Sequence, residues 1–347
     1  MDKPRKFHFF TGNLKAGEEP LANPLADLPD PPRWRQFGAK ADEHKLDPGS
    51  IRATQSTRRE RDLAEAYQIG EQPEIMAAVN AALFLRRPLL VTGPAGSGKS
   101  SLIYAVAREL RLGPVLTWSI TSRSTLREGE YDYEALGRLQ EIQAGERLVL
   151  QPGEARPPVK VEDFVRLGPL GTALVPSQWP RALLIDEIDK ADLDLPNDLL
   201  NLFEEGKFTI EELRRVNASA TAKVRTWKDL YDPAEVPGGQ VACTVFPFIL
   251  LTSNGEREFS APFLRRCVRL QIGAPKTVED LARIVRAHMD ESGVNLDTEA
   301  KTFLEKRGDN KLSTDQLMNA IFVLEQCRFD TDAKKQQLLD ILYRPLS

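Results

Sequence analysis

The chain has 347 residues, enough for more than one packed unit, and its 41% hydrophobic and 28% charged residues are those of a folded protein rather than a disordered one. A formal net charge of −4 supplies no global field toward nucleic acid or an anionic membrane, and no apolar run approaches the roughly 20 residues that cross a bilayer. The start MDKPRKFHFF lacks the apolar core of a secretion signal, which points to the cytoplasm; Cys243, Cys267 and Cys327, like His8, His44 and His288, are too dispersed for a zinc or disulfide framework.

In chain order, residues 1–50 are rich in proline, as in PLADLPDPPRWRQF, and follow neither a period of 2 nor one of 3.6. They read as an extended arm, with Trp34 and Phe37 able to pin it to its own body or to a partner. Over 51–272 short apolar strands alternate with helical stretches, the pattern of an α/β core with a parallel sheet. PLLVTG, PVLTWSI, ALLIDE and PFILLTSN are the clearest predicted strands. From 273 to 347 helical periodicity takes over, with Leu281, Ile284, Val285 and His288, then Leu317, Ile321 and Leu324, then Leu338, Leu339 and Leu342, which predicts a small all-helical unit.

The stretch GPAGSGKS follows the first of these strands and precedes the amphipathic SLIYAVAREL, the context of a P-loop. Gly93, Pro94, Ala95, Gly96, Ser97, Gly98, Lys99, Ser100 and Ser101 form the expected phosphate cradle. Glycines let successive backbone N–H groups curl round an anion, the helix start adds positive potential, and Lys99 reaches the outer phosphates. The Ser100 hydroxyl can ligate Mg²⁺. ALLIDEID supplies the second half of a nucleotide site: Asp186 to hold Mg²⁺ and Glu187 to polarise a water against the γ-phosphate. In PFILLTSNGE, Asn254 is placed to orient that water, or Thr252 to Asn254 simply close a strand.

These elements, followed by Arg265 and Arg266 in PFLRRCVRL, resemble an AAA+ ATPase: P-loop, Walker B, sensor 1, arginine finger and helical lid, over about residues 63 to 345. YQIGEQPEIMAAVNAALFLRRPLLVTGPAGSGKSSL and LLIDEIDKADLDLPNDLLNLFEEGKF are similar to the MoxR branch. TSRSTLREGEYDYEALGRLQ and LRLGPLGTALVP are similar to a MoxR subgroup found beside von Willebrand factor A-type proteins in bacterial conflict systems. The resemblance implies a P-loop core followed by a lid, ATP and Mg²⁺ as ligands, and a homo-oligomeric ring, usually hexameric. In such a ring Arg265 or Arg266 would reach the nucleotide of the neighbour, where a finger is worth roughly 10³ to 10⁵ in turnover. It also implies that Ile69 and Gly70 lie against the base. One departure stands out, since Asp315 occupies the position where an arginine second sensor is expected; Lys311 and Arg307 are the nearby cations.

Two long connections would carry partner contacts. Residues 118–180 match the branch's helix 2 insert, with Trp118, Arg123, Leu126, Tyr131 and Tyr133 as candidate contacts. Residues 207–246 would form a hairpin from FTIEEL and VACTVF, with Arg214, Arg215, Lys223, Arg225, Trp227 and Lys228 at its tip. Glu211, Glu212, Asp229 and Asp232 dilute that tip, which speaks against nucleic acid. Three functions follow as expectations: an ATP-driven ring that remodels or activates a partner protein, a nucleotide-gated scaffold with slow hydrolysis, and a GTP- or ATP-driven nucleic-acid translocase.

Overall fold

A computed structural model describes residues 8–14, 17–37, 64, 72–147, 158–288, 295–307, 312–327 and 331–344. Among them the strands run, in chain order, β1 (Leu89–Thr92), β2 (Leu116–Ser119), β3 (Tyr131–Tyr133), β4 (Val165–Leu167), β5 (Ala182–Asp186), β6 (Lys207–Thr209), β7 (Thr221–Val224), β8 (Ala234–Pro237), β9 (Gln240–Ala242), β10 (Phe248–Ser253) and β11 (Val268–Gln271). Five of these make a parallel sheet in the order β11-β1-β10-β5-β2. The four strands predicted from sequence are β1, β2, β5 and β10; β11, carrying the charged Arg269, is the one the apolar pattern did not mark.

Near-continuous apolar runs suit this sheet because helices cover both faces. Successive residues point to opposite sides, so each strand feeds two cores. Leu90, Leu183, Ile185, Ile249 and Leu251 pack on one face with the helix Asp194–Glu205. Leu89, Val91, Leu184, Phe248 and Leu250 pack on the other with the helices Pro73–Leu85 and Ser101–Glu109. Burying a side chain of this size stabilises by about 1.5–3 kcal/mol, so the sheet is the rigid frame for whatever sits at its edge.

The arm lies on this body. Phe9, Phe10 and Leu25 are buried in the second core, and the fully buried Asn80 takes hydrogen bonds from the Phe9 and Phe10 N–H groups at 2.8 and 3.0 Å. Phe37 stacks on Phe246 at 5.1 Å, whereas Trp34 is 74% exposed among the described residues.

The insert departs from expectation. Trp118 belongs to β2 and is covered by Gly129, where an added Cβ would lie 2.6 Å from the indole; Tyr131 is buried, and Leu126 and Tyr133 are packed against the same core. Of the candidate contacts only Arg123 is exposed. Among the described residues of the insert, the large apolar side chains that are exposed are Leu136 and Leu139 of the helix Ala135–Arg147.

In the 207–246 stretch, FTIEEL splits: β6 pairs with β9, but Glu211–Val216 is a helix, and β7 and β8 form a further antiparallel pair. Arg225 binds Asp229 at 2.6 Å and Lys223 faces Glu235 at 3.6 Å, while Trp227 is packed against the core. The helices Val278–His288, Leu296–Arg307, Thr314–Gln326 and Asp332–Leu342 follow, around Leu281, Val285, Phe303, Leu317, Ile321 and Leu339.

Candidate functional site

The site forms where β1, β10 and β5 end side by side. Thr92 is in register with Ser253, so the loop after β1 opens beside the start of the loop after β10. Gly93 must be glycine, because a Cβ there would lie 2.1 Å from the Ile272 carbonyl oxygen. Gly96 and Gly98 have φ of 71° and 83°, a region that L side chains rarely adopt and that turns backbone N–H groups inward. The helix Ser101–Glu109 starts at the end of this loop, its Ser101 and Leu102 N–H groups donating to the Gly98 carbonyl at 3.1 and 3.3 Å, and its positive end faces the loop.

Lys99 is almost fully enclosed and donates to the Gly93 and Pro94 carbonyls and to Asn254 Oδ1, each at 2.8 Å. Burial lowers its pKa, and Asp189, Asp186 and Glu187 partly oppose that shift. Ser100 Oγ donates to Asp186 Oδ1 at 2.7 Å, and Thr252 Oγ1 donates to the same oxygen at 2.7 Å. The Glu187 N–H donates to Thr252 Oγ1 at 2.8 Å. Glu187 itself is left-handed, φ 59° and ψ 49°, a strained conformation for a side chain of its size. Its carboxylate accepts from Lys190 Nζ at 2.6 Å and lines an open depression of about 580 Å³ with Ser119, Thr121, Ser122 and Arg257.

The structure therefore brings together the P-loop residues, Asp186, Glu187 and Asn254. Asp189, Lys190 and Thr252 complete the arrangement without having been singled out as ligands of it. Asp189 is buried and accepts from the Asn254 and Glu256 N–H groups at 2.8 and 3.2 Å, fixing the loop that aims Asn254. Its signal was its place in DEID, two residues after Glu187.

Ser97 Oγ and Thr314 Oγ1 are buried with no hydrogen-bond partner among the described residues, which is unusual for hydroxyls and fits a cradle built to take an anion. The donor set fits a nucleoside triphosphate with magnesium: N–H groups and an ammonium for phosphate, and the Ser100 hydroxyl with the Asp186 carboxylate for a hard cation.

The helix Thr314–Gln326 starts against this cradle, since a Cβ on Gly96 would meet Thr314 N at 3.0 Å. Asp315 is exposed in its first turn. Arg307 donates to the Pro275 carbonyl at 3.1 Å and so serves the packing of its own helix. Lys311, Ile69 and Gly70 lie outside the described residues.

Arg265 and Arg266 close the helix Ala261–Arg266 and precede β11, whose Val268 is in register with Leu89. They stand at the opening end of β1, whereas the P-loop stands at its closing end, about 13 Å away along four strand residues. Arg266 Nε is bound to Glu204 at 2.8 Å, and the Arg265 side chain is exposed with no ion pair among the described residues.

Residues 88–267 match the family model for the AAA domain, dynein-related subfamily. A 130-residue stretch is 30% identical to the chaperone protein ClpB of Chlamydia caviae, covering 36% of this chain and 14% of that protein. Among solved structures, a single-substitution variant of Thermotoga maritima RuvB is similar over 79% of this chain and 70% of its own, with a TM-score of 0.40 and 16% identity. Hsp104 in its closed state with ATPγS and casein is similar over 82% of this chain and 47% of its own, with a TM-score of 0.38 and 15% identity. The chain thus spans only a small part of the length of its curated relative.

Proposed function

Because the chain belongs to the AAA domain family, dynein-related subfamily, whose members are ATPases, we propose that it hydrolyses ATP at the seams of a homo-oligomeric ring and uses the cycle to remodel a partner protein. The observation that carries this reading is the convergence of Ser100 and Thr252 on one oxygen of Asp186, with Lys99 linked to Asn254 beside them. In this reading Lys99 exchanges its carbonyl partners for phosphate oxygens, Asn254 positions water, and Glu187 leaves Lys190 to accept that water's proton. Ser100 and Asp186 would hold Mg²⁺, which would supply charge neutralisation on the phosphates.

The arginine pair supports catalysis between subunits, because its own P-loop lies at the opposite end of β1. Arg265 is the finger in this account, since Arg266 is already committed to Glu204. The finer placement in the MoxR branch, a hexamer, a cytoplasmic setting and a von Willebrand factor A-type partner in bacterial defence rest on the sequence resemblance and belong to the same proposal.

Phosphate release by purified protein tests it. Lys99→Ala should lose nucleotide binding. Arg265→Ala should bind nucleotide normally and lose at least about 10³-fold in turnover, while Arg266→Ala loses less. Wild-type turnover in Arg265→Ala/Arg266→Ala would remove the intersubunit mechanism, and stimulation by DNA rather than by protein would favour a translocase.

A further inference from the structure

The N-terminal arm holds a buried cation with an unusual set of partners. Arg35 is 4% exposed, and its guanidinium lies beside the stacked rings of Phe37 and Phe246, 5.3 and 5.1 Å from their centroids. It donates to the Phe203 carbonyl at 2.8 Å and to the Arg86 carbonyl. Phe203 is in the last turn of the helix Asp194–Glu205, and Arg86 is the left-handed cap of the helix Pro73–Leu85. One cation therefore closes two helix ends, where carbonyls lack intrahelical partners and the dipole favours positive charge.

Both of those ends lead to the arginine pair. Arg35 Nη1 lies 3.4 Å from Glu204 Oε2, and the other oxygen of the same carboxylate binds Arg266 at 2.8 Å. Arg86 is held from its other side by the arm, through the Pro29 carbonyl at 2.6 Å. The next residue, Arg87, donates to the Arg265 carbonyl. An arm that only covered apolar surface would need Phe9, Phe10, Leu25 and Phe37; a buried guanidinium costs desolvation, which here lowers its pKa, and calls for a further role.

We propose that Arg35 is a positioning residue for intersubunit catalysis: through Glu204 and the Arg86–Arg87 turn, the arm fixes the end of the helix Ala261–Arg266 so that Arg266 is held and Arg265 projects toward the neighbour. This rests on the reading that the arginines act on the adjacent subunit's nucleotide. It makes the arm's attachment a control point for turnover without contact to any nucleotide.

The test uses full-length subunits of two kinds. One carries Lys99→Ala and can donate arginines but not bind nucleotide; the other carries Arg265→Ala/Arg266→Ala and can bind nucleotide but not donate. Mixing them should restore phosphate release. Arg35→Gln placed in the donor should reduce the restored rate about 10-fold or more, as a displacement near 1 Å does. The same change in the acceptor should leave the restored rate within about 2-fold, since the arginines it braces are absent there.

A purely structural role would lower both mixtures alike. Glu204→Gln, at a partly exposed position, repeats the comparison should Arg35→Gln fail to fold, as judged by thermal unfolding. An equal effect in both placements, or none in either, overturns the role of Arg35 while leaving intersubunit catalysis standing. Absence of restoration in the parent mixture overturns intersubunit catalysis and this proposal with it.

Discussion

Thr314 buries a hydroxyl that no described group satisfies, at the start of the helix that touches the P-loop at Gly96. A phosphate oxygen is the natural partner, because Thr314 lies against the glycine-rich loop at Gly96 and a hydrogen bond to a charged acceptor is among the stronger ones. Thr314→Val, which keeps the shape and removes the hydroxyl, is expected to weaken binding of a non-hydrolysable triphosphate about 10-fold, with Thr314→Ser close to wild type, by fluorescence titration. Equal affinity in all three proteins would show that the lid helix takes no part in phosphate recognition. At this scale the arrangement was readable from sequence wherever a glycine-rich turn imposes a fixed spacing, as from Gly93 to Ser100. Partner choice was not, because the bonds of Asp189 to the Asn254 loop and of Glu204 to Arg266 join residues that only the fold brings together. Asp315 marks the limit: its sequence position announced a missing cation, but only the structure puts a neighbouring hydroxyl against the cradle.

Short elements carry the insert, and one of them ends on a partly buried carboxyl. Glu130 ends the helix Leu126–Glu130, and its carbonyl sits so close to Gly171 that a Cβ there would approach to 1.9 Å. Burial pushes the Glu130 side chain up to about 7, with Arg127 opposing in part. Between its ordinary value of 4.5 and about 7 the folded chain keeps a proton that the unfolded chain releases, so this group's contribution falls as pH rises through that window and the cost is complete above it. Glu130→Gln should therefore raise the urea midpoint at about pH 8 and leave it close to wild type at about pH 4.5, where the folded chain keeps its proton and the unfolded chain has lost only about half of its own. The same gain at both values would mean that burial does not govern this carboxyl. The insert also shows why aromatic residues in a long connection are poor guides to contact surfaces: Trp118 is the third residue of β2, and a strand residue facing a core is indistinguishable in sequence from an exposed anchor. The central strands were legible because burial on both faces leaves an apolar run; β11 was not, since Arg269 and Gln271 alternate with its buried Leu270.

For the molecule as a whole, the decisive fact is the separation of phosphate cradle and arginine pair to opposite ends of β1, with the arm tied to the arginine end and the C-terminal helices to the cradle end. Two ends of a rigid four-residue strand cannot be brought together by any motion that keeps the sheet, and β1 is held on both sides by β10 and β11. Turnover per protomer should consequently depend on encounters between protomers. On dilution from well above to well below the dissociation constant of the assembly, phosphate release per protomer should fall by at least about 10²-fold, in step with loss of the assembled species by mass photometry. Adding Lys99→Ala protomers to the dilute enzyme should restore it, because such chains hydrolyse nothing yet present Arg265 to a competent neighbour. A rate per protomer that stays constant across the dilution, with those additions inert, would mean that the cradle turns over without a second chain and that Arg265 and Arg266 serve only the surface they occupy.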